Sequence, residues 1–376
     1  MSVAARRLGS IEWEVVHLPS TLGWDSHNYL ALAIDDDGYL HLSGNMHAVP
    51  LVYFRSTKPL DIGSFERVAK MTGSEESRCT YPIFLRGPAN ELMFTYRDGS
   101  SGNGSQIYNA YDLRTRTWSR LLDRPLTSNE GHASAYLEGP TRGPDGYFHL
   151  IWVWRNTPDC STNHDLSYAR SRDLKHWESA DGRALELPIT MKTRATIDPV
   201  PVNGGIINGS AHVGWDSHGR LIVTYHKFDD QGFTQAYAAR LEDGQWKFFQ
   251  VSHWDYRWEF HGGGSIPFEI GIGGVHPGAR DELLLDYHHP RAGSGTWRLN
   301  EETLQTIGQA KREAAWPAAL NQPESDFPGM QVHTLSNAGK GRLYLLRWES
   351  LGPNRDRPRE GPLPEPSMLR LYEIER

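Results

Sequence analysis

One strand pattern recurs six times along this chain, and that repetition restricts the fold more than any other feature. The copies are YLHLSGNMH (39–47), ELMFTYRDG (91–99), YFHLIWVWR (147–155), RLIVTYHKF (220–228), ELLLDYHHP (282–290) and RLYLLRWES (342–350). Turns such as Asp37-Gly38, Asp145-Gly146 and His218-Gly219 precede the repeated strand, and a polar loop then leads to a third strand such as LVYFRS, QIYNAYD, HDLSYARS or TQAYAARL. Each unit therefore reads as an antiparallel meander. Units spaced roughly 50 to 75 residues apart suit propeller blades packed radially around a channel and are too long for the rungs of a β-helix. The reading is an all-β chain, a β-propeller of seven four-stranded blades forming a single domain over residues 1–376. The seventh blade is expected in WDYRWEFHGGGSIPFEIG (254–271), with the N-terminal IEWEVV as the outer strand that closes the last blade. SRDLKHW (171–177) approximates the Ser-x-Asp…Trp hairpin box of sialidase-like blades but lacks its glycine. Residues 301–316 are the sole helix candidate, and the Pro-rich stretch 353–366 reads as a loop before a final strand.

Thirteen Trp and 16 Tyr suit a β-rich core, and aromatic faces also stack on sugar rings. A net charge of -7 speaks against nucleic acid as a partner and leaves polyanion binding as a local matter. Two cysteines, Cys79 and Cys160, form no disulfide framework and no zinc spacing. With neither a signal-like nor a membrane-spanning apolar run, the expectation is a soluble protein without a membrane partner. Its place is cytoplasmic as written, or secreted or periplasmic if a leader has been removed.

Aligned blades send the loops after their second strands to one face, where substrate-binding residues should converge: Asn45 and His47, Tyr96 and Arg97, Arg155 and His164, Tyr225 and His226, Tyr287 and His288. Taken singly, each tyrosine is more readily a packing residue and each histidine as readily a structural group. His149 lies inside an alternating strand, and His41 holds the equivalent place in the first copy, which favours a structural role for both. His164 follows a polar loop, beside an Asp165 able to orient its ring. The glycine-rich TYRDGSSGNGS (95–105) lacks the GK[ST] of a phosphate loop, and His288-His289 lacks a third ligand at fixed spacing. No cofactor is required, although a structural Ca2+ in the central channel is compatible with the fold.

The stretch from His149 to Ser171, with YRDGSSGNG (96–104), Tyr225 and Arg240 in TYHKFDDQGFTQAYAAR, and VHTLSNAGKGRLYLLRW (332–348), resembles the BNR-repeat propellers that include ulvan lyases and enzymes removing rhamnose from glucuronate. That resemblance implies a polysaccharide lyase performing β-elimination beside a uronic acid, on uronate-containing oligo- or polysaccharide of the rhamnose-glucuronate type. The family's active site of two histidines, a tyrosine and an arginine maps onto His149, His164, Tyr225 and Arg240. Tyr225 or His164 would take the C5 proton, and Arg240, or Arg97 or Arg155 in its stead, would neutralise the carboxylate. A rival reading is an α-L-rhamnosidase-like hydrolase working through His47, since GNMH (44–47) matches such a position. A third is a non-catalytic glycan-binding propeller.

Overall fold

In a computed structural model, every residue is described except 22, 194, 312, 313, 340 and 376. The described residues form two compact units, one of Met1–Gly263 with Glu269–Gln309, the other of Gly264–Phe268 with Ala310 onward. Among the described residues, secondary structure is all β apart from three short 3-10 turns.

Each of the six repeated segments forms the second strand of an antiparallel sheet: Leu40–Gly44, Leu92–Ser100, Phe148–Arg155, Leu221–Phe228, Glu282–His289 and Arg342–Leu351. Five of these sheets belong to the first unit, and the sixth, Met330–Gly339, Arg342–Leu351 and Arg370–Glu375, to the second. The β-propeller fold thus shows six blade sheets among the described residues, five in the first unit and one in the second, not the expected seven. The tract 254–271 does not supply another, because residues 254–261 run as irregular chain and only Gly271–Ile272 pairs, with the second strand of the fifth blade. Glu14–His17 pairs with Ser2–Ala5 in a separate two-stranded sheet and not with the last blade. Nor does a helix form in the described part of 301–316, where Thr306–Gln309 is the outer strand of the fifth blade; Arg298 of the neighbouring strand and the β-bulge there fix that edge.

Strand alternation explains how the blades stack. In Phe148–Arg155, Leu150, Trp152 and Trp154 join a buried cluster with Met93 and Tyr108 of the second blade, while Ile151 and Val153 join another with Val223 and Tyr225 of the fourth. Side chains on successive residues point to opposite faces of a sheet, so a strand apolar on both faces can only sit between two neighbours. Truncating Trp152, which is 1% exposed, should cost about 3 to 5 kcal/mol.

Two local devices repeat. His41 is hydrogen-bonded to the Tyr53 hydroxyl at 2.7 Å and to Asp35 at 3.3 Å, and His149 to the Tyr168 hydroxyl at 2.9 Å and to Asp145 at 3.0 Å. In both blades an Asp from the turn and a Tyr from the third strand satisfy a histidine near the start of the second. The hairpin at 171–177 is a true Asp box: Asp173 accepts from the Lys175 and His176 amides, and the Trp177 indole donates to the Leu174 carbonyl. Leu174 takes the glycine's place at φ 61°, a left-handed conformation that a β-carbon resists.

Candidate functional site

A cavity of 240 Å³ opens in the first unit, and its walls come mainly from first strands. Tyr81 and Ile83 lie on Cys79–Arg86, Tyr136 and Glu138 on Ser134–Arg142, and Tyr29 just precedes Leu30–Ile34. Thr95 and Arg97 reach it from the second strand of blade two, and Asn208 from the segment before blade four. The β-bulge between Thr80 and Ile83 leaves Tyr81 at φ 57°, where the pleat is broken and the ring is re-aimed.

Arg97 is 2% exposed. Its Nη1 donates to the Tyr136 hydroxyl at 3.3 Å and its Nη2 to Thr80 Oγ1 at 3.2 Å, while Nε has no partner. The guanidinium lies 4.9 Å from the Tyr81 ring centre and 5.6 Å from that of Tyr136. Arg155 stands 5.4 Å from the Tyr136 ring and, among the described residues, donates to the Thr157 and Pro158 carbonyls and to Asn208 Oδ1. Neither arginine meets a carboxylate within ion-pair distance among the described residues. Glu138 is the only acid on the cavity wall among them, and burial pushes its carboxyl up to about 6. Burial, then the charge of Glu138, pushes Tyr29 up to about 12. Burial likewise raises Tyr81, with Tyr136 adding to it and the guanidinium charges of Arg97 and Arg155 opposing it.

Beside Tyr81 sits a second cluster. Asp25 is bonded through Oδ2 to His47 Nδ1 at 2.5 Å and through Oδ1 to His27 Nδ1 at 2.7 Å. The two imidazoles stack at 4.0 Å, and the His27 ring lies 5.5 Å from that of Tyr81. Burial alone would raise Asp25, but the His27 amide and the His47 and His27 rings outweigh it and hold the carboxyl below its ordinary range. These three donors lie within 4.8 Å of one another, as do those of Asp216, His218 and Glu301. In both groups the carboxylates already hold hydrogen bonds, Asp216 from the His218 amide and Glu301 from the Ser217 hydroxyl, so neither requires a cation for satisfaction.

The residues expected from the sequence divide among several places. Arg97 lines the cavity, and Arg155 is tied to it through Tyr136 and Asn208. His47 belongs to the Asp25 cluster, while Asn45 donates to Ser20 Oγ at 2.9 Å. His164 is buried with both ring nitrogens engaged, by Asp165 and by Asn156, each at 2.9 Å. Tyr96 is in the core between blades one and two, its hydroxyl accepting from Arg120 at 3.3 Å. Tyr225 is fully buried between blades three and four, where its hydroxyl donates to Asp198, a carboxylate that Lys227 also holds at 2.6 Å. Burial and the Asp198 charge raise Tyr225 well above the ordinary phenol range.

His226, the next residue, points to the other face and bonds the Gly205 carbonyl at 2.8 Å; burial drops it to about 4. Tyr287 stacks on Trp297 at 4.1 Å, and exposed His288 bonds Ser294. His149 and Arg240 sit at the opposite ends of their hairpins from Arg155 and Phe228, since His149 pairs with Arg170 and Arg240 with Ile222. Arg240 is held there by Glu242 at 2.6 Å and by the Glu301 carbonyl at 2.8 Å, so it does not stand beside Tyr225, which pairs with Tyr237.

Tyr29, Tyr81, Tyr136, Glu138 and Asn208, with Asp25 and His27, are the site residues that strand-two reading passes over. A signal existed: in CTYPIFLR and SAYLEGPTR the third residue of the first strand is a tyrosine in both blades, Tyr81 and Tyr136.

Among solved structures, the chain is similar to the polysaccharide lyase Uly1, with a TM-score of 0.60 and 15% identity over 97% of this chain and 82% of that one. It is similar also to a PL25 ulvan lyase, with a TM-score of 0.57 and 14% identity over 93% of this chain and 79% of that one. The same lyase bound to -[GlcA(1-4)Rha3S]- matches equally well in shape, with 13% identity. At these identities the likeness is one of fold. No curated protein matches the chain. The family model for BNR repeat-containing proteins matches residues 1–254, two thirds of the sequence, and the chain belongs to that family.

Proposed function

We propose that this protein is a carbohydrate-active lyase that cleaves a glycosidic bond next to a uronic acid by β-elimination in the Arg97 cavity. The observation that carries the reading is Arg97 itself, a buried guanidinium with neutral partners only and one N–H unused, facing a cavity on the scale of a sugar ring. An unneutralised buried charge costs several kcal/mol, and an anionic ligand offsets that cost. A uronate carboxylate is the sugar anion that a guanidinium fork fits. The lyases of similar fold, one of them bound to a glucuronate-containing glycan, support the substrate class.

In this reading Arg97, with Arg155 behind Tyr136, neutralises the carboxylate and stabilises the enolate-like charge that builds when the C5 proton leaves. Tyr136, whose oxygen is held by Arg97 and by Ser101 at 2.5 Å, takes that proton as a phenolate, having first given up its own proton to solvent. The C5 electron pair becomes the C4–C5 double bond as the C4–O bond breaks. Tyr81, kept protonated by burial, donates to the leaving oxygen. Glu138 accepts a sugar hydroxyl. Hydrolysis by paired carboxyl groups fits less well, because the wall carries one acid among the described residues where that chemistry calls for two.

One observation favours a second reading. The 2.5 Å bond from Asp25 fixes the His47 ring and leaves its Nε2 for proton transfer, the arrangement that hydrolysis through a single histidine would use. Incubation with glucuronate–rhamnose oligosaccharides decides between them. Elimination produces the ultraviolet absorbance of a conjugated uronate, and rhamnose released without that absorbance would refute the lyase reading in favour of the His47 one.

A further inference from the structure

A cavity of 570 Å³ in the first unit takes no part in the proposed reaction. One wall is the turn after Leu221–Phe228 of blade four, with Asp230, Gln231 and Phe233, and the other is the irregular chain after the outer strand Gln245–Gln250, with His253 and Trp254. Gln235 ties the two walls together. It is 2% exposed, and its Nε2 donates to Asp229 Oδ2 and to the Trp254 carbonyl, both at 2.9 Å. Its Oε1 accepts from the Trp254 amide and from Ser252 Oγ, both at 2.8 Å. Asp229 in turn accepts from the Gln231 and Phe233 amides at 3.0 and 2.9 Å, which fixes the turn. Every hydrogen-bonding position of the Gln235 amide is thereby spent on holding the cleft in shape.

The groups left over suit a neutral sugar. Trp254 packs against His289 at 4.5 Å and Trp297 at 5.5 Å, yet it is only half-buried and lines the cleft. Its indole N–H and the exposed side chains of Asp230 and Gln231 make no hydrogen bond to any described residue. A rigid aromatic ring covers the C–H face of a pyranose, and carboxylate and amide groups beside it take up the hydroxyls. Charge speaks against an acidic sugar here. Asp229, Asp230 and Asp255 all line the cleft, while Lys227, the one lysine or arginine on its wall among the described residues, is already held by Asp198 at 2.6 Å. The cleft also lies near the Arg97 cavity. The Phe228 ring on its wall packs so closely on Gly205 that a β-carbon there would come within 2.5 Å of it, and Asn208, three residues on, lines the Arg97 cavity. Three residues span at most about 11 Å, within the reach of one oligosaccharide.

We infer that the Trp254 cleft is a distal subsite for a neutral sugar of the same glycan whose uronate occupies the Arg97 cavity, so that longer oligosaccharides are better substrates than the shortest cleavable one. The link to the reacting uronate rests on the proposed function; the choice of a neutral sugar rests on the walls of the cleft alone.

Two measurements on the full-length protein test this. Glucuronate–rhamnose oligosaccharides of increasing length are followed by ultraviolet absorbance. A hexasaccharide of the same series, its carboxyls reduced to hydroxymethyl groups so that it cannot eliminate, is titrated by calorimetry. The expected result is a kcat/KM about tenfold higher for the unreduced hexasaccharide than for the shortest substrate, carried by KM. That ratio should fall to near one in Trp254→Leu and to about threefold in Asp230→Ala/Gln231→Ala. The reduced hexasaccharide should bind the wild-type protein and lose about tenfold in affinity in Trp254→Leu. Asp230 and Gln231 are exposed, so the second variant decides the matter should Trp254→Leu not fold. A length ratio or a reduced-chain affinity that both variants retain would overturn the inference, as would a reduced chain that the wild-type protein does not bind. Elimination with no dependence on length would refute the distal subsite and leave the reaction standing. A protein that binds the reduced chain through Trp254 yet eliminates no uronate would refute the proposed reaction alone.

Discussion

Replacing Arg97 with Met separates a catalytic cation from a structural one. The guanidinium is nearly excluded from water and holds two hydrogen bonds at 3.3 and 3.2 Å, both long for a charged donor, with a third donor idle. Hydrogen bonds to charged groups contribute about 1.5 to 3 kcal/mol each at good geometry, and less at these lengths. Against them stands a desolvation cost of several kcal/mol. Methionine keeps the apolar stem packed near Tyr81, so the two effects nearly cancel and stability should change by no more than about 1 kcal/mol, a shift of about 2 to 4 °C in Tm. Activity should respond far more. Loss of one preorganised charge-stabilising group typically lowers kcat by about 100- to 1000-fold, and Arg97→Lys, a point charge without the fork, should recover only part of it. The assays are thermal melting and the rate of ultraviolet absorbance on a glucuronate–rhamnose oligosaccharide. A drop in Tm of ten degrees or so with turnover per folded molecule intact would refute the reasoning, because it would make Arg97 a structural residue.

Other substitutions sort the remaining candidates. Tyr225→Phe should leave turnover within about twofold and lower stability by about 1 kcal/mol in a denaturant titration, since its hydroxyl serves Asp198 in a closed core. Arg240→Met should cost about 1 to 2 kcal/mol with turnover per folded molecule unchanged, because it removes the bonds to Glu242 and to the Glu301 carbonyl at the far end of the hairpin while Lys247 keeps Glu242 paired. Stability should fall as pH drops from about 6.5 towards 4, the window between the ordinary imidazole and the buried, depressed His41 and His226 at about 4. In that window the unfolded chain binds the protons and the folded one does not, so acid favours unfolding, and His226→Gln should flatten the slope measured by denaturant melts at stepped pH. For Asp25 the carboxyl is held low in the folded state, so its contribution is present near neutrality and lost as pH falls below about 4; Asp25→Asn should remove it.

How much of this could be read from the chain depends on the residue. The six second strands were legible because each is a long apolar run bounded by Gly or Asp turns, and each became the middle of a sheet. The tract 254–271, where the seventh blade was expected, packs its aromatics from irregular chain: Trp258 lies against His226, and Trp254 against His289. At the helix candidate 301–316, local sequence does not report that Leu299 already pairs with Thr306 across a short turn.

The site was only partly legible, for a geometric reason. Adjacent residues such as Tyr96 and Arg97, or Tyr225 and His226, were expected to converge, yet neighbours on a strand face opposite sides of the sheet. Arg97 therefore reached the cavity while Tyr96 entered the core of blades one and two. Tyr225 and Arg240 are close in sequence terms but lie three residues apart along one hairpin, which is about 10 Å of strand. Tyr81, Ile83, Tyr136 and Glu138 of the cavity sit on first strands whose bulges, at Thr80/Ile83 and at Glu138/Thr141, gave no clean period to follow.

The most direct test of the central claim is the mass of the products formed from a glucuronate–rhamnose oligosaccharide in water enriched in heavy oxygen. Elimination moves a proton and forms a double bond without adding water, so the account predicts an unsaturated uronate and a reducing-end fragment whose summed masses equal the substrate, with no heavy oxygen incorporated at the moment of cleavage. A saturated pair of products heavier by one labelled water would contradict it and would assign the Arg97 cavity, or the Asp25–His47 pair beside it, to hydrolysis.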